Sequence, residues 1–227
     1  AGWIAAAAGL AAQRSEEAPH IILFPEVTFD KEKFLSKVDN VAKREGYCVI
    51  VASEGTRYAD GTFLADSGVR DAFGHAQLGG LAPTLAQMIK DELGYKFHWA
   101  VADYLQRAAR HIASQTDLEQ AYAVGKMAVK FAMRGKNSIM PCIVRGKGKR
   151  YTWSISEAPL SKVANKEKML PRRFISKDGY GITDAAMEYL KPLIKGEAYP
   201  NYRNGLPVYT QLKNVGIKKK LKSGFQF

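Results

Sequence analysis

Tyr104 and Arg107 stand three residues apart, directly after the apolar run Phe97-His98-Trp99-Ala100-Val101-Ala102-Asp103 and shortly before a helical stretch. A phenol and a guanidinium fork at that spacing can emerge on one side of a turn and close on a single phosphate group. Taken alone, a Tyr-x-x-Arg in such a place is more often a structural pair. Two carboxylates occupy comparable positions. Glu26 ends the run Ile21-Ile22-Leu23-Phe24-Pro25, and Glu54 follows Cys48-Val49-Ile50-Val51-Ala52-Ser53. A carboxylate at the end of a strand can accept hydrogen bonds from ligand hydroxyls, or it can cap a nearby loop amide; residue type by itself favours the cap.

These side chains need elements to hold them. The unbroken apolar run from Ile21 to Phe24 is what a strand buried on both faces requires, and the run from Cys48 reads as a second strand. Between them, Phe34, Leu35, Val38 and Val41 recur at helical spacing behind Asp30, which predicts a helix over 30–45. Strand, helix and strand in that order imply a parallel sheet covered by helices, with ligands at the carboxyl ends of the strands. Residues 1–12 read as a buried helix, 13–20 as a loop, 57–62 as a turn, and 81–93 as a helix with Pro83 in its first turn. The run from Phe97 to Asp103 reads as a third strand, and 117–134 as an amphipathic helix with Thr116 as its N-cap. Two extended runs, 138–144 and 151–155, flank the basic glycine turn 145–150 as a hairpin, and a last helix is expected near 183–193. No internal repeat and no linker stand out.

With 227 residues, 46% hydrophobic and 25% charged, the chain has ordinary globular composition. No apolar run approaches the roughly 20 residues needed to cross a bilayer, and the alanine-rich opening lacks a basic leader, so no membrane is expected. The two cysteines, Cys48 and Cys142, sit in apolar strand-like runs without metal-ligand neighbours. They read as inert thiols in a reducing cytoplasm. A formal charge of +12 suits a polyanionic partner: nucleic acid, an acidic membrane surface or phosphorylated small molecules. The basic residues are scattered, however, apart from Lys218-Lys219-Lys220-Leu221-Lys222, and no nucleic-acid motif of fixed spacing accompanies them. That run reads as a solvated tail, so no nucleic acid is expected. Lys147, Lys149 and Arg150 could reach a phosphate, although a solvated hairpin tip is the simpler reading.

Several segments recur together in one known order. Ala1-Gly2-Trp3-Ile4-Ala5 with Leu10-Ala11, Ile21 to Glu26, Val51 to Gly55, Phe73 to Gly80 and Tyr104 to Arg107 resemble the phosphofructokinase family over most of residues 1–160. The resemblance is closest to its pyrophosphate-dependent branch, in which Tyr-x-x-Arg replaces the His-x-Gln-Arg of common ATP-dependent bacterial enzymes. It implies an α/β fold, a doubly wound parallel-sheet sandwich, within a two-domain enzyme. Residues 1–106 would form a sugar-phosphate-binding domain, 107–195 a helix and hairpin segment packing on a phosphoryl-donor domain, and 196–227 a tail. It implies that Glu26 binds hydroxyls of fructose 6-phosphate while Tyr104 and Arg107 hold the 6-phosphate. His75, in Gly74-His75-Ala76-Gln77-Leu78-Gly79-Gly80, is a further candidate contact; Leu78 stands where the related phosphate motif has arginine, so the segment reads chiefly as a glycine turn opening the next helix.

The implied reaction moves a phosphoryl group from pyrophosphate to the 1-hydroxyl of fructose 6-phosphate, giving fructose 1,6-bisphosphate. The family's Met-Gly-Arg, Gly-Gly-Asp and Thr-Ile-Asp motifs precede the Ala-Gly-Trp helix and do not occur here. The chain is therefore expected to lack roughly an N-terminal half, which would carry the catalytic aspartate and bind most of the magnesium. No catalytic residue is expected within these residues. A cytoplasmic homodimer or homotetramer is implied. The alternatives are an ATP-dependent phosphofructokinase, or a non-catalytic module of the same fold that binds sugar phosphate or nucleic acid.

Overall fold

The computed structural model describes residues 1–14, 16–70, 76–78, 80–216 and 218, the side chains of 66–70, 76–78 and 106 excepted. In chain order the elements are α1 (Trp3–Ala8), β1 (Ile21–Leu23), α2 (Lys31–Glu45), β2 (Ile50–Ala52), β3 (Asp66–Arg70), β4 (Ala76–Leu78), α3 (Leu81–Leu93), α4 (Leu105–Ala108), α5 (Gln115–Met133), β5 (Ile139–Arg145), β6 (Trp153–Pro159), α6 (Asp184–Leu190), β7 (Tyr202–Arg203) and β8 (Leu206–Pro207).

β1 and β2 pair in parallel, with Ile21 opposite Ile50, Ile22 opposite Val51 and Leu23 opposite Ala52. A parallel pair needs a long crossover, and α2 supplies it. Its ends follow from local chemistry. The Asp30 side chain accepts from the Lys33 amide at the start, and Lys43 and Arg44 face the negative end of the helix dipole before Gly46 turns the chain at φ +80°.

Successive side chains of a strand point to opposite faces, so β1 builds two cores at once. On one face Ile21 and Leu23 pack with Phe29, with Phe34 and Val38 of α2, and with Leu81, Leu85 and Ile89 of α3. On the other, Ile22 and Phe24 pack with Ala5 and Ala6 of α1 and with Leu170, Phe174, Ala186 and Leu190. The opening helix is therefore buried on one side only, and it ends in a 3-10 turn over Gly9–Ala11. Gly9 permits this approach: a Cβ there would lie 2.8 Å from Ile182 Cδ1 and 3.1 Å from Ile22 Cδ1. The core does not follow the boundary expected after residue 106, because Leu170 to Leu190 share it with α1 and β1.

Two other expectations change. The segment Phe97–Asp103 joins no ladder among the described residues. Its backbone groups lack a neighbouring strand, and it runs extended along the wall of a cleft instead. The helix expected after Thr116 begins earlier, because Ser114 is the N-cap and its hydroxyl accepts from the Asp117 amide at 3.0 Å. Thr116 turns its own hydroxyl to the Lys195 carbonyl at 3.2 Å. The hairpin forms as read, with β5 and β6 antiparallel from Ile139 opposite Pro159 to Arg145 opposite Trp153.

Cys48 is half-buried against the core beside β1. Burial pushes its thiol up to about 11, so the unreactive thiol predominates at neutral pH. At pH 7 the folded protein is expected to leave Cys48 unmodified by iodoacetamide on a timescale that fully alkylates the urea-unfolded chain. Equal rates in the two states would contradict the burial, and peptide mass spectrometry reads the difference directly.

Candidate functional site

At the end of the extended wall, Asp103 takes φ 45°, a left-handed conformation that aspartate tolerates better than most residues. This turn launches α4. The Leu105 amide donates to the Ala102 carbonyl at 2.9 Å, and the Arg107 and Ala108 amides both donate to the Tyr104 carbonyl at 3.0 Å. One helical turn thus puts Tyr104 and Arg107 on the same side, with the guanidinium carbon 5.6 Å from the phenol ring centroid. Tyr104 is 70% exposed. Neither side chain has a hydrogen-bond or ion-pair partner among the described residues. Their donors are open to a ligand or to water.

Both residues line a cleft of about 1160 Å³. Its walls include the carboxyl end of β2 with Ser53 and Glu54, the outer side of α1 at Ala1 and Ile4, and the segment ending at Asp103. Ligands in parallel α/β sheets bind beyond the carboxyl ends of strands, and this cleft has that position. Glu54 lines the same cleft as Tyr104 and Arg107.

Glu26 has a different environment. Its Oε1 accepts from the Gly2 amide at 3.0 Å and from the Leu170 amide at 2.7 Å, and its Oε2 accepts from Gly2 at 3.2 Å. The carboxylate therefore clamps the start of α1 to the segment leading into Leu170, and it is not among the cleft-lining residues. It borders the cleft through Gly2, the neighbour of Ala1. The clamp is tight around Gly2, where a Cβ would lie 2.7 Å from Glu26 Oε2 and 2.9 Å from Phe24 Cδ1. A second tie reinforces it, since Trp3 Nε1 donates to the Lys168 carbonyl at 2.7 Å. His75 lies outside the described residues. Among those described, no cluster of three or more His, Cys, Asp or Glu side chains could hold a metal ion.

Sequence reasoning missed the role of 168–170, which no spacing signal links to residues some 140 positions earlier. It also gave Asp103 no part, although an aspartate directly before Tyr-x-x-Arg is the kind of residue a left-handed turn admits.

The phosphofructokinase family model matches residues 1–132. The chain belongs to the phosphofructokinase family. Similar proteins include the pyrophosphate–fructose 6-phosphate 1-phosphotransferases of Methylococcus capsulatus, 59% identical over 99% of this chain, and Halomonas elongata, 58% identical over 97%. They are covered over 54% and 53% of their own lengths, so the chain spans about half the length of the curated relatives it matches. The crystal structure of the pyrophosphate-dependent phosphofructokinase from Marinobacter aquaeolei superposes with a TM-score of 0.82 at 53% identity, covering all of this chain and 53% of that one. The layered parallel sheet is thus the phosphofructokinase fold, as the resemblance implied.

The clamp has a measurable strength. Glu26→Ala leaves two partly buried amide donors without their acceptor, at a cost of about 1–3 kcal/mol, whereas Glu26→Gln keeps a carbonyl oxygen for both and is expected to lose less than about 1 kcal/mol. Urea unfolding of the full-length protein measures the two, and an alanine variant as stable as wild type would show that the clamp holds nothing.

Proposed function

We propose that this chain is the fructose 6-phosphate-binding half of a pyrophosphate-dependent phosphofructokinase. The observation that carries the proposal is the pair Tyr104 and Arg107, set on one helical turn in the lining of the cleft with their donors unengaged by other described residues. A dianionic phosphate ester suits a guanidinium fork joined by a phenolic donor. The names of relatives at 57–59% identity support pyrophosphate over ATP as the phosphoryl donor.

In the reaction, the 1-hydroxyl oxygen of the sugar bonds to one phosphorus of pyrophosphate, the bridging phosphorus–oxygen bond breaks, and orthophosphate departs with the electron pair. The hydroxyl proton passes to a carboxylate base. This chain contributes position. With the 6-phosphate fixed at Tyr104 and Arg107, the other end of the sugar is restrained, and holding a nucleophile in place is a large part of catalysis in phosphoryl transfer. Glu26 spends Oε1 on two backbone amides, yet a carboxylate has about four acceptor positions, and Oε2 carries one long bond. That oxygen is the proposed acceptor for a sugar hydroxyl. His75 is retained as a further proposed contact.

The described residues hold no cluster of three or more His, Cys, Asp or Glu side chains, and no step here runs through the metal. The proposal assigns magnesium, the catalytic aspartate and the donor loop to the length of the relatives that this chain does not span. It also assigns residues 107–160 to packing against that part or against another subunit of a homodimer or homotetramer. The support is α5, which leaves Tyr122, Val129 and Met133 at 72%, 61% and 83% exposure. A cytoplasmic setting suits the two free thiols, and no helix among the described residues is long and apolar enough to cross a membrane.

Arg107→Ala in the full-length enzyme is expected to raise KM for fructose 6-phosphate roughly 10- to 150-fold, the loss of about 1.5–3 kcal/mol from a charge-assisted contact, while KM for pyrophosphate stays put. An unchanged KM for the sugar phosphate would remove Arg107 from the site.

A further inference from the structure

The basic turn of the hairpin is not absorbed by the cleft. Arg150 and Tyr151 line a second hollow of about 420 Å³ together with Thr116 of α5 and Lys191, Pro192 and Lys195 from the segment after α6. We propose that this hollow is a second anion site, separate from the Tyr104 and Arg107 cleft, for a small compound bearing a diphosphate group.

Charge convergence is the first argument. Some surface lysines have carboxylate partners, Lys31 with Glu92, Lys37 with Asp178, Lys43 with Asp39 and Lys136 with Glu157, and others stand singly in solvent. Arg150, Lys191 and Lys195 have no carboxylate partner among the described residues, although they line one hollow. Three unpaired cations lining one hollow raise its potential and favour an anion there.

The scaffold is the second argument, because a binding site needs its groups held in place before the ligand arrives. The Arg145 guanidinium lies 4.5 Å from the Tyr151 ring and 4.1 Å from the Tyr189 ring, and it donates to the Tyr189 carbonyl at 2.8 Å. This stack ties the hairpin to α6. On the opposite side, the Lys195 carbonyl accepts from both the amide and the hydroxyl of Thr116 at 3.2 Å, which ties Lys195 to α5. The Tyr151 hydroxyl accepts from the buried Gln120 amide, so its own hydrogen is left to donate.

The recognition is by side chains. The first amides of α5 are already taken, Gln115 by the Gly196 carbonyl at 2.7 Å, Thr116 by Lys195 and Asp117 by the Ser114 hydroxyl, so the helix start contributes only its dipole. Three cations and a phenolic donor match the charge of about −3 on a diphosphate at neutral pH. A nucleic acid would call for cations strung along a groove, whereas these surround one hollow. Free pyrophosphate and the diphosphate of a nucleotide share the relevant chemistry.

Lysine-resolved acetylation of the full-length protein, read by peptide mass spectrometry without magnesium, tests this. With inorganic pyrophosphate at about ten times its dissociation constant, mass action is expected to slow acetylation of Lys191 and Lys195 about tenfold and to leave exposed Lys213 unchanged. Arg150→Gln should weaken the protection, and Arg107→Ala should leave it intact, which separates this site from the cleft. A parallel titration with ADP shows whether the diphosphate is also accepted on a nucleotide. Unchanged acetylation of Lys191 and Lys195 with both compounds would overturn the proposal, as would protection by a short oligonucleotide at lower concentration than either.

Discussion

Water is excluded from both faces of β1, and a three-residue strand in that position is held only if each neighbouring side chain has its own core to enter. Ile21 and Leu23 go one way, Ile22 and Phe24 the other, and the two helical layers follow from that alternation. The constraint fixes what comes next along the chain. Where β1 ends, Pro25 and Glu26 leave the sheet between the layers, close to the start of α1, where the Glu26 carboxylate meets two backbone amides that would otherwise lack an acceptor.

The site inherits its geometry from those layers. β2 is registered on β1 and delivers Ser53 and Glu54 to the cleft; α1, pinned through Gly2, forms the facing wall; and the extended segment after α3 carries the chain to Asp103. Only there does the backbone turn sharply enough to place a phenol and a guanidinium side by side. The two kinds of polar group have separate tasks. Glu26 spends most of its acceptor capacity on the protein's own amides, while Tyr104 and Arg107 keep their donors for something else. Most described lysines with carboxylate partners sit on α2, whereas Arg150, Lys191 and Lys195, without such partners, line the hollow beside α5.

Local chemistry was the legible part of the sequence. The ends of α2 could be read because an aspartate three residues before Lys33 can accept from its amide and a glycine can close the last turn, and β1 could be read because burial on both faces demands an unbroken apolar run. Tyr104 and Arg107 were readable as a pair because three-residue spacing is itself a geometric statement. Contacts between distant segments were not legible. Leu170 meets Glu26, and Phe174 and Leu190 complete the core of α1, through tertiary packing that leaves no periodic trace. The segment from Phe97 to Asp103 failed for a related reason: its apolar content is that of a strand, but a strand exists only where a second one lies within hydrogen-bonding distance. Ser114 displaced Thr116 as the cap of α5 because the Lys195 carbonyl, some 80 residues on, claimed the threonine hydroxyl.

The most direct measurement is a crystal structure of the full-length protein with fructose 6-phosphate bound. The 6-phosphate oxygens are expected within hydrogen-bonding distance of the Tyr104 hydroxyl and the Arg107 guanidinium, with the ring lying in the cleft towards β2. A sugar phosphate bound elsewhere, with Tyr104 and Arg107 still facing solvent, would contradict the assignment at its centre.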